Sequence, residues 1–276
     1  MFFKDKVKKK IRGRIHVIEQ GPVRATVRTE QTFGNSTLIR DYSLTRNSGH
    51  IDVKVKLDFH EKHRILKFSF PVAAQNARAV CKIPFGTIER PTDGGEQVSG
   101  DWIALHDGKQ GITVATDSKH SFDAEGNILS LTVLRSAIFA DHYAQNGFRD
   151  EFCEFMEQGE HTFRYRISPF LSLSDAERQS EDLQCKPFAI QETFHKGVLP
   201  TSFEGMRVSE KNVAITAIKQ HRLGEGVVIR MYEAEGKDTD VDIFVLGTTF
   251  HTHLPHDAIK TFLIRDEEVA EIDFLE

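Results

Sequence analysis

Ile51-Asp52-Val53-Lys54-Val55-Lys56-Leu57 alternates apolar and charged residues without a break. Successive side chains of an extended chain point to opposite faces. This segment therefore has one apolar and one charged face, the pattern of a half-buried antiparallel strand. The same period of two runs outward in both directions. Upstream, Arg14-Ile15-His16-Val17-Ile18 and Val23-Arg24-Ala25-Thr26-Val27-Arg28 alternate. Further strands are expected over 37–44, 64–70, 79–84, 102–106, 111–116, 128–134 and 161–167. Turn signals separate them: Arg46-Asn47-Ser48-Gly49, Thr92-Asp93-Gly94-Gly95, His106-Asp107-Gly108 and Ala124-Glu125-Gly126-Asn127. Asn, Asp and Gly accept the backbone angles that a reversal needs. Many short strands at this spacing predict an all-β sandwich or barrel.

One helix interrupts the pattern. Ser174 is read as its N-cap, with Asp175 and Glu177 placing acid in the first turn, where the helix dipole favours it. It is expected to run to about Cys185 and to stop before Pro187. The helix is read as a boundary. A large β-sandwich is expected over 1–172, and the linking helix with a small sandwich of Ig-like size over 173–276. Strands of the second part are expected over 212–219, 226–232, 240–246 and 259–264.

Composition narrows the function classes. A net charge of −5 leaves no basic excess to track phosphates, so nucleic acid is not an expected partner. Phe occurs 21 times against 4 Tyr and 1 Trp, which suits filling space between sheets without polar partners. Cys81, Cys153 and Cys185 are far apart and form no CxxC pair, which fits a reducing cytoplasm better than a disulfide framework. Met1 to Arg14 is rich in Lys and Arg, but no apolar core follows it as in a signal peptide, and no run is long enough to span a membrane.

Chemistry is sparse. His251 and His253 share one face of an expected strand and lie close to His256, so they are the candidate metal ligands. A solvated strand end broken by Pro255 is the preferred reading, because a closed structural site needs four ligands. His60 and His63 read as polar turn residues. No GxSxG, P-loop or GxGxxG occurs. Asp117, Asp123, Asp141, Asp150 and Glu151 could supply a glycosidase pair, yet carboxylates in turns more often form the turn. The residues alone indicate an all-β protein compatible with carbohydrate binding.

Two stretches carry a resemblance. Ile83-Pro84-Phe85-Gly86-Thr87-Ile88-Glu89-Arg90-Pro91-Thr92 resembles an IPFG–IERPT segment in the large β-domain of family 38 α-mannosidases. Asp117-Ser118-Lys119-His120-Ser121-Phe122-Asp123, then Gly126-Asn127 and Leu129 to Ser136, resembles a second segment of that domain; Ala137 stands where Pro is common and His120 where an aromatic is common. Gln158 to Tyr165, Asn212 to Lys219 and Val228 to Glu233 also resemble family segments, so the likeness covers nearly the whole chain. Within it, Gly86 is expected to permit a bend, and Arg90 to pair with Glu89 or a neighbouring acid.

The resemblance implies a partial, galactose-mutarotase-like β-supersandwich followed by the small sandwich. It also implies a retaining α-mannosidase that uses a divalent metal, zinc, held by two Asp and two His, with an Asp nucleophile and a carboxylate acid/base. Those groups belong to an N-terminal barrel, followed by a helical bundle. No position here matches their motifs, so no catalytic residue and no metal or other cofactor is expected in this chain. The expected partners are the barrel and helical domains and an α-mannoside, of oligosaccharide or mannosylglycerate type; an oligomer is compatible. Arg135, Asp141 and His142 are the candidate substrate-rim contacts, because the family's loop after this strand lies toward the catalytic domain. Two alternatives are a freestanding carbohydrate-binding or structural module and a mutarotase-like epimerase using a His and a Glu.

Overall fold

A computed structural model describes residues 13–138 and 154–275 of the chain. The chain is all-β with a single helix among those residues. One sheet takes, in spatial order, β1 (Gly13–Gln20), β2 (Arg24–Phe33), β3 (Ser36–Thr45), β4 (Ile51–Phe59), β13 (Gly159–Pro169), β10 (Gly111–Thr116), β9 (Trp102–His106), β6 (Arg78–Ile83) and β7 (Gly86–Arg90). A four-stranded sheet faces it: β5 (Arg64–Pro71), β12 (Ile128–Ser136), β11 (Ser121–Glu125) and β8 (Gln97–Val98). Two smaller sheets follow. One is β14 (Met206–Val208), β17 (Thr239–Val245) and β18 (Thr248–Leu254), and the other is β15 (Val213–Gln220), β16 (Val227–Glu233), β19 (Ile259–Arg265) and β20 (Glu268–Ile272). The strand pairs of these sheets are antiparallel.

The alternation at Ile51 does what its period demands. Val53, Val55, Leu57 and Phe59 of β4 are buried, and the intervening Lys54 and Lys56 are exposed. Across the interior stand Phe68 of β5, Leu129 and Leu131 of β12 and Phe122 of β11. The Phe68 ring lies 6.2 Å from Phe163 and 5.7 Å from Tyr165 on the opposite sheet. Each such buried side chain contributes roughly 1.5–3 kcal/mol. The second core joins Ile229 and Met231 of β16 to Val241, Ile243 and Val245 of β17, with Leu254 and Phe262.

The helix, α1 (Leu173–Gln184), caps on Ser172 rather than Ser174. Ser172 is extended, and its hydroxyl accepts from the Asp175 amide at 3.0 Å. Ser174 is drawn away by a tertiary partner: its hydroxyl donates to Glu235 of the small sandwich. Ala176 and Leu183 pack against Trp102, Ala104 and Ala115 on the outer face of the large sheet. Glu177, 4% exposed, pins this contact: it accepts from Trp102 Nε1 at 2.7 Å and pairs with Lys82. No helix among the described residues is long and apolar enough to cross a membrane.

The turn after β6 departs from expectation. The left-handed residue is Phe85, at φ 57°, and not Gly86, where a Cβ would meet only Ile83 at an ordinary 3.9 Å. A bulky residue avoids this region unless something holds it there. The Phe85 ring sits edge-on to Tyr232 at 6.1 Å and to Phe274 at 5.4 Å, so the contact with the small sandwich holds it. The turn at Asp107 behaves as read: its carboxylate accepts from the Gln110, Gln75 and Lys109 amides, which hold its pKa down at about 2.

Candidate functional site

Strict alternation along β12 would turn Arg135 inward, on the side of Leu131 and Val133. A bulge between Thr132 and Leu134 changes that: Thr132 pairs with Lys67, Leu134 with Leu66 and Arg135 with Ile65. Val133 and Leu134 are both buried, and Arg135 is exposed. One extra residue has re-aimed the arginine onto the outer face of the four-stranded sheet, a common use of bulges beside functional sites.

That face carries a polar cluster. Lys67 pairs with Glu96 and with Asp123, and Glu96 also accepts from Ser121 and Thr132. Ser69 and Ser130 share a hydrogen bond at 3.1 Å beside them. Burial works to raise the Glu96 carboxyl, but the bonds from Lys67, Ser121 and Thr132 outweigh it and hold it below its ordinary value. Glu96 thus stays an acceptor, with its partners filling its lone pairs. Asp123 stands inside β11 as an ion-pair partner of Lys67, in place of the turn-forming role read from sequence. Lys67 and Glu96 escaped the sequence reading, because a lone lysine and a loop glutamate carry no periodic signal.

The other residues singled out from sequence are placed as follows. Asp117 grips Arg164, accepting from its amide at 2.9 Å and its Nε at 3.0 Å. Arg90 does not meet Glu89, which lies 3.8 Å from Arg78 instead; neighbours on a strand face opposite ways, and Arg90 reaches the Cys81 thiol. His60 pairs with Asp58 at 2.7 Å, and His63 packs edge-on to Phe155. Asp141, His142, Asp150, Glu151 and Cys153 lie outside the described residues.

The three histidines of the second part form a ladder with carboxylates. Nδ1 of His251, His253 and His256 lies 2.9, 2.9 and 2.8 Å from Asp242, Asp240 and Asp238. Asp240 also lies 3.9 Å from His251 Nε2, so it stands between two imidazoles. Among the described residues no group of three or more His, Cys, Asp or Glu is arranged to hold a metal ion. The hydrogen bond and charge of Asp238 raise the His256 pKa above 6.5. A raised histidine stabilises the fold fully below its unfolded pKa, and that contribution is lost as pH rises through the folded value. Followed by NMR, His256 should titrate above 6.5, and Asp238→Asn should return it to the ordinary range. An unchanged titration in the variant would refute the pairing.

A family model, the glycosyl hydrolases family 38 C-terminal domain, matches residues 2–143. The family 38 C-terminal β-sandwich domain matches residues 212–272. The chain belongs to glycosyl hydrolase family 38. This family 38 chain is 26% identical over 240 residues to alpha-mannosidase 2C1 of Mus musculus, covering 82% of the chain and 21% of the relative. It is 24% identical over 251 residues to alpha-mannosidase G of Dictyostelium discoideum, covering 83% of the chain and 22% of the relative. A family 38 protein from Enterococcus faecalis superposes with a TM-score of 0.79 at 15% identity, over 92% of this chain and 36% of that one; this shows the shared fold. The family 38 chain thus spans about a fifth of the length of the curated relatives it matches.

Proposed function

We propose that this chain is the C-terminal, non-catalytic part of a retaining α-mannosidase that hydrolyses terminal α-mannosides, of oligosaccharide or mannosylglycerate type. The observation that carries the reading is the match of both β regions to family 38, with relatives that are named alpha-mannosidases. The division near residue 172 into a large and a small β-domain belongs to the same proposal, as does a cytoplasmic setting. The metal chemistry and the nucleophile are assigned to the remainder of the enzyme.

In this reading the chain supports the catalytic barrel and lends Arg135 to the rim of the sugar site. The bulge that turns Arg135 outward supports it, since a purely packing role needs no such device. Arg135→Ala in the whole enzyme should lower kcat/KM by about ten-fold or more, the scale of one charge-assisted hydrogen bond. The 276-residue chain should keep its melting temperature after the same change. A destabilised chain with normal kinetics in the folded enzyme would make Arg135 a structural residue and end this role.

A further inference from the structure

Arg164 and Arg166 stand two residues apart on β13, and Phe163 and Tyr165 beside them are buried in the core. Both arginines therefore leave the outer face of the nine-stranded sheet. Arg166 is fully engaged: Nε and Nη2 donate to Asp52 at 2.7 and 3.2 Å, and Nη1 reaches Gln179. Arg164 is only half engaged. Asp117 accepts from its backbone amide at 2.9 Å and from its Nε at 3.0 Å, which fixes the guanidinium plane. That bond uses Nε alone and leaves Nη1 and Nη2 for another acceptor, on a side chain that is 26% exposed.

Arg164 lines an open hollow of about 370 Å³ together with Asp117, Ser118, Thr162 and Gln184. Three elements meet there: the turn after β10, the outer face of β13 and the last residue of α1. Ser118, Thr162 and Gln184 are exposed. The volume suits a small molecule, but such sites are mostly lined by apolar groups. A guanidinium, two hydroxyls and an amide offer hydrogen bonds and little apolar contact, so the fitting ligand carries polar groups over its own surface.

Charge narrows the class. Around the hollow each base has an acid: Arg164 has Asp117, Arg166 has Asp52, and Lys56 has Glu160 at 3.2 Å. Lys54 stands opposite Asp41 in the sheet. An anion meets no net positive field, and the carbonyl end of α1 at Gln184 opposes one. A neutral ligand rich in hydroxyls fits better, because each hydroxyl both donates and accepts. It accepts from Arg164 and the Gln184 amide nitrogen, and it donates to Thr162 and to the Gln184 amide oxygen.

We propose that this hollow is a second saccharide site, one that holds a neutral sugar residue by its hydroxyls, away from the Arg135 face. Arg135 leaves the four-stranded sheet on the opposite outer face of the sandwich. The two sheets pack about 10 Å apart, with side chains on both outer faces, so one monosaccharide cannot touch both places. The site anchors a separate residue of a glycan. The hydroxyl chemistry stands by itself; the choice of a mannoside as probe rests on the mannosidase reading.

Titration of the isotope-labelled 276-residue chain with methyl α-mannopyranoside, followed by amide NMR, tests it. The amides of Asp117, Ser118, Thr162, Arg164 and Gln184 should shift together, with a Kd of about 1–10 mM, the scale of a few exposed hydrogen bonds. Thr162→Val with Gln184→Ala should weaken binding about ten-fold or more and leave the melting temperature unchanged, because the Asp117–Arg164 pair is intact. Gln184→Ala alone serves if the double variant melts lower. Sodium sulfate forms the second arm and should neither bind here nor displace the sugar. The absence of shifts at these amides up to about 100 mM mannoside overturns the proposal. So do shifts confined to the surroundings of Arg135, undiminished binding by the variants, or sulfate that displaces the mannoside, which would make the hollow an anion site. No binding here by a chain that completes an active mannosidase sinks this proposal alone; binding here by a chain that supports no mannosidase sinks the functional reading alone.

Discussion

Glu177→Ala should destabilise the chain by about 3–5 kcal/mol, the usual cost of removing one member of a buried ion pair. The carboxylate is 4% exposed and holds two partners that have little other recourse. Trp102, 0% exposed, donates its indole N–H to it, and Lys82 places its ammonium against the other oxygen. Alanine takes the close partner from both donors under α1, leaving Asp101 at 3.9 Å from the lysine and the more distant charge of Glu181. The damage should extend to the small sandwich, because burial and the Glu177 charge together push the phenol of its Tyr232 upward, so the two groups are electrostatically coupled. Urea unfolding measures the loss. Adding Lys82→Met should recover a large part of it, since a buried apolar pair is tolerated better than a lone charge. A loss below about 1 kcal/mol for Glu177→Ala would show that the pair is solvated and that α1 is held by packing alone.

Glu233→Ala should be comparably damaging, at about 3 kcal/mol or more from lost charge-assisted bonds. The side chain is fully buried at the end of β16 and organises the chain reversal that follows. It accepts from Asn212 Nδ2 at 2.8 Å and from the amides of Glu235, Gly236 and Lys237 at 2.8, 2.7 and 3.0 Å. The Asp257 amide adds a longer bond at 3.3 Å. Burial works to raise its pKa, but the bonds from Asn212 and the backbone amides win and lower it below 4.5. A depressed carboxylate stabilises the fold above its unfolded pKa, and that contribution fades as pH falls through the folded value. Thermal unfolding from pH 7 down to pH 3 should therefore fall more steeply for the native chain than for Glu233→Gln. Parallel pH curves would remove Glu233 from the account.

Much of this fold was legible because the large sheet obeys a period of two, and Ile51–Phe59 shows it most openly. Gly86–Arg90 and Ser121–Glu125 were not read as strands. The first is short and opens on glycine, and the second carries a buried Asp123 where alternation would be judged. The helix start was missed by two residues, because Ser172 and Ser174 are equally good caps locally and only the Glu235 contact separates them. Arg135 was named from a resemblance, but its direction depended on a bulge. The signal for the bulge lay in the apolar doublet Val133-Leu134, which breaks alternation in an otherwise regular strand. The Glu96 cluster joins a loop to three strands, so no local pattern could announce it.

On the proposed reading, this chain serves an α-mannosidase without carrying its chemistry. Hydrolysis of an aryl α-mannoside, measured with added zinc, tests it most directly. The account predicts no turnover by the 276-residue chain alone, and zinc-dependent turnover once it is combined with a family 38 catalytic region. Zinc-dependent turnover by the pure chain, abolished by substitutions within it, would contradict the account.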